Sequence, residues 1–347
     1  MKLKRVLLTL ALILLFVIIG AGILYVFIPK MGYCFGAAFS PGGERLYVAA
    51  GYEGLHTFDV SPEGALTYNS LVNDGGYYRY VEATQDRVYV ANSKQGLMVY
   101  AARPSALELL WSEKGNKALG IHLHGNLAFV AAGLEGFAIF DLSSPEAPQK
   151  LGNLATGGRP WDVWVDGPIA YLADPDQGLL VVDVSMPSEP RLVGRLSWDP
   201  EDPSAEILEG RGALVYVASG KHGLLVIDVS NPTQPEVVWR YNPSPDTYGE
   251  SVRLLGQIMF VTMVDEVHAD QNGLHVFDIG NPAEPELVEV MPIRDWVEDI
   301  TLAQDYLAIA NTHSGVLLFD VSQPDPPQLL DTYPAQLWRF FLRTLRW

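Results

Sequence analysis

One phrase returns seven times along this chain: a glycine, a hydrophobic strand, then Asp-Val-Ser-x-Pro or a variant of it. It reads GLHTFDVSP from Gly54, GFAIFDLSSP from Gly136, GLLVVDVSMP from Gly178, GLLVIDVSNP from Gly223, GLHVFDIGNP from Gly273 and GVLLFDVSQP from Gly315. A degenerate copy, GLMVYAARP from Gly96, has Ala101 where the others have Asp. Successive glycines lie 42, 40, 42, 45, 50 and 42 residues apart. A unit this short cannot bury its apolar face alone, and a β-rich period near ~40 residues is that of propeller blades. The predicted fold is all-β: a seven-bladed β-propeller of four-stranded blades over 31–335. One N-terminal transmembrane helix within 1–30 precedes it, and a short amphipathic tail, 336–347, follows.

The fourth repeat shows how a blade is written. Residues 159–165 alternate and read as the first strand, and Asp166-Gly167 signals a tight turn. The second strand covers 169–173, the third 179–184, and a fourth starts at Arg191 after a polar Pro-containing connection. The glycine opening each third strand suits a positive φ or a close approach between strands. The Asp closing that strand suits an Asx turn onto nearby backbone amides. An aromatic recurs in the second strand (Tyr47, Tyr89, Phe129, Tyr171, Tyr216, Phe260) and is expected between blades.

Strands reading GLLVVDVS and GLLVIDVS, the second followed by Asn-Pro-x-x-Pro, resemble the LVIVD repeat family over most of 43–330. The resemblance implies a β-propeller, often of an exported protein. It implies no single activity, because one fold hosts many functions. The Gly96 copy departs from the family by losing its Asp, and the sixth repeat carries an insertion.

Residues 6–29 hold no charge, enough for a helix to cross a bilayer. Lys2, Lys4 and Arg5 precede the run and Lys30 follows. The positive-inside rule then keeps the N-terminus in the cytoplasm and places the propeller on the periplasmic or extracellular side, as a single-pass protein. A cleaved signal peptide is the alternative, but its apolar region is ordinarily shorter. In the tail, Arg339, Arg343 and Arg346 fall on one helical stripe, beside Trp338, Phe341 and Trp347. That pattern suits contact with a membrane interface or docking onto the propeller itself.

Net charge is −18, and all 41 acids lie within 31–335 against sixteen of the 23 bases, so the body carries −25. Such a surface repels phosphate and argues against nucleic-acid binding. Cys34 is the single cysteine, so no internal disulfide forms.

The sequence contains no catalytic motif for hydrolase, zinc-protease, nucleotide-binding or haem chemistry. The expectation is therefore no enzyme, no cofactor and no metal. His122 and His124 alternate on one strand, but a metal needs a third ligand. Acids recur where consecutive blades begin: Asp162, Glu206, Glu250, Glu298 and Asp299. They pair locally with backbone amides, or converge to take a cation or a partner's basic side chain. Arg159 with Trp161, Arg294 with Trp296, and Tyr78 with Arg79 place Arg and aromatics at blade entries, the residue types of interface anchors. The insertion in the sixth repeat contributes Asp265 and His268 to a long loop. The leading expectation is a membrane-anchored interaction or scaffold module, an accessory subunit of a complex at that membrane. The alternatives are a small-ligand or cation receptor or enzyme at the acidic channel mouth, and a structural cell-surface protein.

Overall fold

A computed structural model describes residues 33–114, 117–199, 204–265, 267, 272–293, 296–312, 315–323 and 326–334. Each repeat forms one antiparallel sheet whose four strands run in sequence order, giving seven sheets among the described residues. Blade four comprises Asp162–Asp166, Ile169–Asp174, Gly178–Asp183 and Arg191–Leu196. Its inner strand starts three residues later than the alternation suggests, because Pro160 has no N–H for the ladder. The other inner strands are Gly36–Phe39, Tyr78–Ala83, Gly120–His124, Ile207–Arg211, Thr247–Leu255 and Val297–Ala303.

The repeated residues hold this frame together. All seven anchor glycines have positive φ; at Gly178 it is 85°, and a Cβ there would collide with the Leu196 carbonyl oxygen of the outer strand. Both reasons expected for a glycine thus operate together. The strand-closing Asp accepts the amide two residues on in five blades: Asp141 from Ser143 at 2.8 Å, Asp183 from Ser185 at 2.9 Å, Asp228 from Ser230 at 2.8 Å, Asp278 from Gly280 at 2.6 Å and Asp320 from Ser322 at 2.8 Å. Asp59 differs, taking Asn69 at 2.8 Å and pairing with Arg45. The six second-strand aromatics are all buried. They lie in apolar clusters shared by adjacent blades, such as Phe129 with Val163, Leu172 and Val182. Truncating one costs about 3–5 kcal/mol by the usual cavity arithmetic.

The ring closes without a shared strand, since the first and last blades each keep their own four. Cys34, Ala37, Phe39 and Phe58 of blade one meet Ala308, Ala310, Val316 and Leu318 of blade seven. The Leu66 amide donates to Asp331 at 2.7 Å across the seam, and the Tyr306 hydroxyl to the Pro62 carbonyl at 2.9 Å. Burial pushes the Cys34 thiol up to about 12, so it serves packing and not reactivity. No described helix is long and apolar enough to cross a membrane. The N-terminal run and the tail residues Trp338, Arg339, Phe341, Arg343, Arg346 and Trp347 lie outside the described residues.

Candidate functional site on the propeller axis

The inner strands surround the axis in levels. One level consists of Gly36, Tyr80, Gly120, Asp162, Ile207, Ser251 and Asp299, each paired across its sheet with a second-strand Ala or Thr. Several of these reach the next blade. Asp162 accepts the Leu208 amide at 3.1 Å, Asp299 the Ala37 amide at 3.1 Å, and the Ser251 hydroxyl the Ile300 amide at 3.3 Å. Two residues further along, Glu82 accepts the Leu123 amide at 3.0 Å and Glu209 the Leu254 amide at 3.3 Å. Five of the seven seams therefore carry a side-chain latch onto the following inner strand. At the other two, Gly36 and Gly120 let the neighbouring backbone approach directly: a Cβ there would strike the carbonyl oxygens of Arg79 and Trp161.

The five acids singled out from the sequence consequently split into two sets. Asp162 and Asp299 are buried latches, 4% and 0% exposed. Asp299 also takes Ser251 at 3.0 Å and Arg253 at 3.2 Å. Glu206, Glu250 and Glu298 stand one residue nearer the mouth, on the face that carries the blade connections. They line a narrow recess of about 40 Å³ with Phe35, Arg79 and Trp161. The inner-strand register breaks at Arg79, Glu250 and Glu298, so three bulges turn these residues out of the ladder. Burial raises all three glutamates. Glu206 is pushed up to about 8, opposed by Arg79 and helped by Glu298. Glu298 rises to about 7 on the same balance, with Asp299 adding to it. Glu250 lies well above the carboxylate range from burial and from its two glutamate neighbours, although the Trp296 side chain bonds to it.

Around this mouth runs an aromatic belt. The Arg79 guanidinium lies 5.9 Å over Phe35 and 5.3 Å over Trp161. Phe35 meets Tyr77 at 5.1 Å, Tyr77 meets Tyr52 edge-on at 4.7 Å, and the Lys94 ammonium lies 4.6 Å over Tyr52. Tyr33 and Tyr52 are 54% and 62% exposed. Tyr248 and Trp296 continue the belt on the far side, 6.3 Å apart.

Some expected contacts lie elsewhere. Tyr78 is fully buried, bonded to Tyr100 at 3.0 Å and to the Asp74 amide at 2.8 Å, because the bulge at Arg79 turns it inward. It is a core residue and not a surface anchor. Arg159 is exposed but held by a two-pronged pair with Asp176, at 2.7 and 2.6 Å. Asp265 is buried and takes Ser244, Thr247 (3.0 Å) and the Val267 amide (2.8 Å), so it organises its own loop. His268 and Arg294 lie outside the described residues.

The sequence reading missed the other half of the axis. A cavity of about 400 Å³ lies toward the opposite face. It is ringed at one level by Ala38, Glu82, His122, Trp164, Glu209, Arg253 and Thr301, one from each blade. Six of these pair across the sheet with the buried aromatics Tyr47, Tyr89, Phe129, Tyr171, Tyr216 and Phe260, and Thr301 pairs with Ala308. Arg253 crosses the axis from blade six to the Tyr80 hydroxyl of blade two. Burial alone would lower its pKa, but Tyr80, Asp299, Glu209 and Asp162 outweigh that and raise it. Burial pushes Glu82 up to about 8 against the Leu123 amide and Arg253, and Glu209 to about 7 against Arg253. Burial, with His124 and Arg253, drives His122 down to about 4. The 3.6 Å approach of His122 to Glu82 is thus a contact of two mainly neutral groups at pH 7, not an ion pair. His124 sits at the exposed end of its strand and does not line the cavity. Among the described residues no three His, Cys, Asp or Glu side chains gather closely enough to hold a metal ion.

Comparison with known proteins fits this architecture. Stretches 115–156, 157–197, 211–243 and 268–291 match the family described as LVIVD repeat. The chain carries LVIVD repeats within a seven-bladed propeller. The matched stretches fall on blades three to six of the propeller; blades one, two and seven share its strand order with more divergent sequence. No curated protein matches it in sequence. Its fold is similar to that of Saccharomyces cerevisiae Sqt1, with a TM-score of 0.64 at 10% identity, covering 89% of this chain and 87% of the other. It is also similar to the computationally designed Ika8 protein, with a TM-score of 0.61 at 11% identity over 88% of each chain. At such identities the likeness concerns the fold alone.

Proposed function

We propose that this propeller is a membrane-anchored, extracytoplasmic interaction module, an accessory subunit that binds another protein of the same membrane by contact and not by catalysis. The observation that carries the reading is the belt of Tyr33, Phe35, Tyr52, Tyr77, Arg79, Trp161 and Trp296 around one mouth of the axis. Tyr, Trp and Arg are the side chains that dominate protein interfaces, because they bury much area at little entropic cost and keep a polar handle. Here they surround three carboxyls at the centre, which suits a partner that inserts a basic side chain. The charge-free run over 6–29, with its flanking lysines and arginine, supplies the anchor, and the arginine-striped tail a second membrane contact.

The test is a photo-crosslinking residue at Tyr52, with one at Met186, exposed away from the belt, as control. The protein is taken from its own membrane in mild detergent. A single membrane protein crosslinked at Tyr52, absent at Met186 and weakened about tenfold or more by Arg79→Ala, is the expected result. A monomeric particle with no crosslink at Tyr52 ends the reading.

A further inference from the structure

The ring at the opposite end of the axis, like the level of Asp162 and Asp299, does not repeat from blade to blade, and it surrounds a cavity. At the repeated positions the blades use one residue type; here seven blades supply a small residue, two acids, a histidine, an indole, a guanidinium and a hydroxyl. The cavity inside the ring is also of ligand-binding size, since such sites run to a few hundred Å³ and combine a few polar groups with apolar walls.

Three details decide what it takes. The Arg253 guanidinium is already committed, to Asp299 at 3.2 Å, to the Tyr80 hydroxyl and to the Val252 carbonyl at 2.7 Å, so it does not call for an anion. Against this one cation stand Glu82, Asp162, Glu209 and Asp299, an excess of carboxyl groups in a low-dielectric space. Each of Glu82 and Glu209 spends one oxygen, Oε2, on its latch; Glu82 Oε1 lies 3.6 Å from His122 Nδ1, and Glu209 Oε1 has no hydrogen bond among the described residues. The Thr301 side chain is only 8% exposed, lines the cavity, and shows no hydrogen-bond partner among the described residues. A hydroxyl open to the cavity in this way can bond to a ligand or to water. Trp164 supplies a wall of the cavity, its indole lying across Gly210 of the next blade, where a Cβ would collide with it. The indole is stacked on Tyr171, 5.6 Å away, and covers Gly210, so it serves the cavity as an apolar wall.

We propose that this cavity is a binding site for a small organic ammonium ion, held by Glu82 and Glu209, walled by Trp164 and bonded by Thr301. The site lies at the mouth opposite the aromatic belt, so it stands or falls independently of the partner-binding reading. An ammonium ion needs ionised carboxylates, and those facing it are Glu82, Glu209, Asp162 and Asp299, with Tyr80, His122 and Arg253 as the other titratable groups around the ring. Binding therefore releases protons and strengthens as pH rises through the range where Glu82 and Glu209 ionise, about 8 and about 7.

The experiment is calorimetric titration of the purified full chain with putrescine and with agmatine, and with glutarate as an anionic control. It is run at pH 6 and pH 8.5 in buffers of different ionisation enthalpy. The expected result is saturable amine binding, tighter at the higher pH, with a heat that depends on the buffer. Glu209→Gln keeps an acceptor for the Leu254 amide but removes the charge, and is expected to weaken binding about tenfold or more, the size of a lost charge-assisted hydrogen bond. Thr301→Val, which leaves every carboxyl in place, is expected to weaken it severalfold; it decides the matter if the Glu209 variant loses its fold. No saturation by either amine up to about 10 mM overturns the proposal. So does binding insensitive to both variants, or tighter binding of glutarate.

Discussion

The Asp residues that close the third strands and the acids of the axis are the same chemistry put to opposite uses. Asp141, Asp183, Asp228 and Asp320 sit at the rim in water and accept a hydrogen bond from the Ser two residues on, which pulls each carboxyl below its usual range. Glu82, Asp162, Glu209 and Asp299 sit inside, where burial outweighs every amide and arginine offered to them and pushes each one up. Rim acids are therefore best tolerated charged, axis acids neutral or paired. The rim positions repeat because each blade needs the same turn. The axis positions do not repeat because seven blades share one axis, and each sees a different part of it.

The largest expected difference between the two regions is at Asp299. Its side chain holds the Ala37 amide across the closing seam, the Ser251 hydroxyl and the Arg253 guanidinium. Asp299→Ala takes the carboxylate from the part-buried Arg253 and leaves the Ala37 amide without its acceptor, a change that typically costs about 3–5 kcal/mol. At about 1.5 °C per kcal/mol for a propeller of about 300 residues, that lowers Tm by roughly 5–7 °C. Asp162→Asn is expected to be far milder. Asp162 is itself raised to about 7, chiefly by burial, so the amide resembles the form that the fold already prefers, and it still accepts the Leu208 amide. Equal losses in the two variants, read by calorimetric unfolding, would refute this account of the axis.

This contrast also explains what the sequence disclosed. Glycine, Asp and the second-strand aromatic were legible because seven copies average out local accident; the glycine role held in all seven blades, the aromatic in six and the Asp turn in five. The acids near the mouth were legible as a group, but not their division into latches and recess. That division depends on bulges at Arg79, Glu250 and Glu298, and one added residue in a strand leaves no mark in composition or alternation. Glu209, Arg253, Trp164 and Thr301 escaped because a search for recurrence discards what does not recur. A usable signal existed. Glu82, His122, Trp164, Glu209 and Arg253 each lie seven residues before the second-strand aromatic, a fixed column of changing chemistry inside aligned repeats.

The next effect in size is pH dependence. Glu82, Glu209 and Asp162 have folded pKa values raised to about 8, 7 and 7, above their unfolded values. Between the two values the folded state holds more protons, so stability falls as pH rises. The contribution is complete below the ordinary carboxylate range and is lost as pH climbs through about 7 to 8. Tm is expected to decline from pH 5 to pH 9, and Glu82→Gln with Glu209→Gln to make that decline shallower. A Tm that rises over this interval would contradict the pattern of the axis.

The smallest effect, and the reverse in sign, belongs to the rim. Asp183, partly exposed at the rim, accepts hydrogen bonds from the Ser185 side chain and from its amide at 2.9 Å, which lower its folded pKa below the unfolded one. Its contribution is present above the unfolded value and is lost as pH falls through the folded one. Asp183→Ala is expected to shift Tm less than any axis variant near neutral pH, while hydrogen exchange at the Ser185 amide accelerates. In acid below the carboxylate range the variant and the parent chain are expected to unfold alike, because the parent has then lost the same charged acceptor. A difference that persists there would mean that the aspartates hold the blade edges by packing, and that their repetition records shape and not the hydrogen bond.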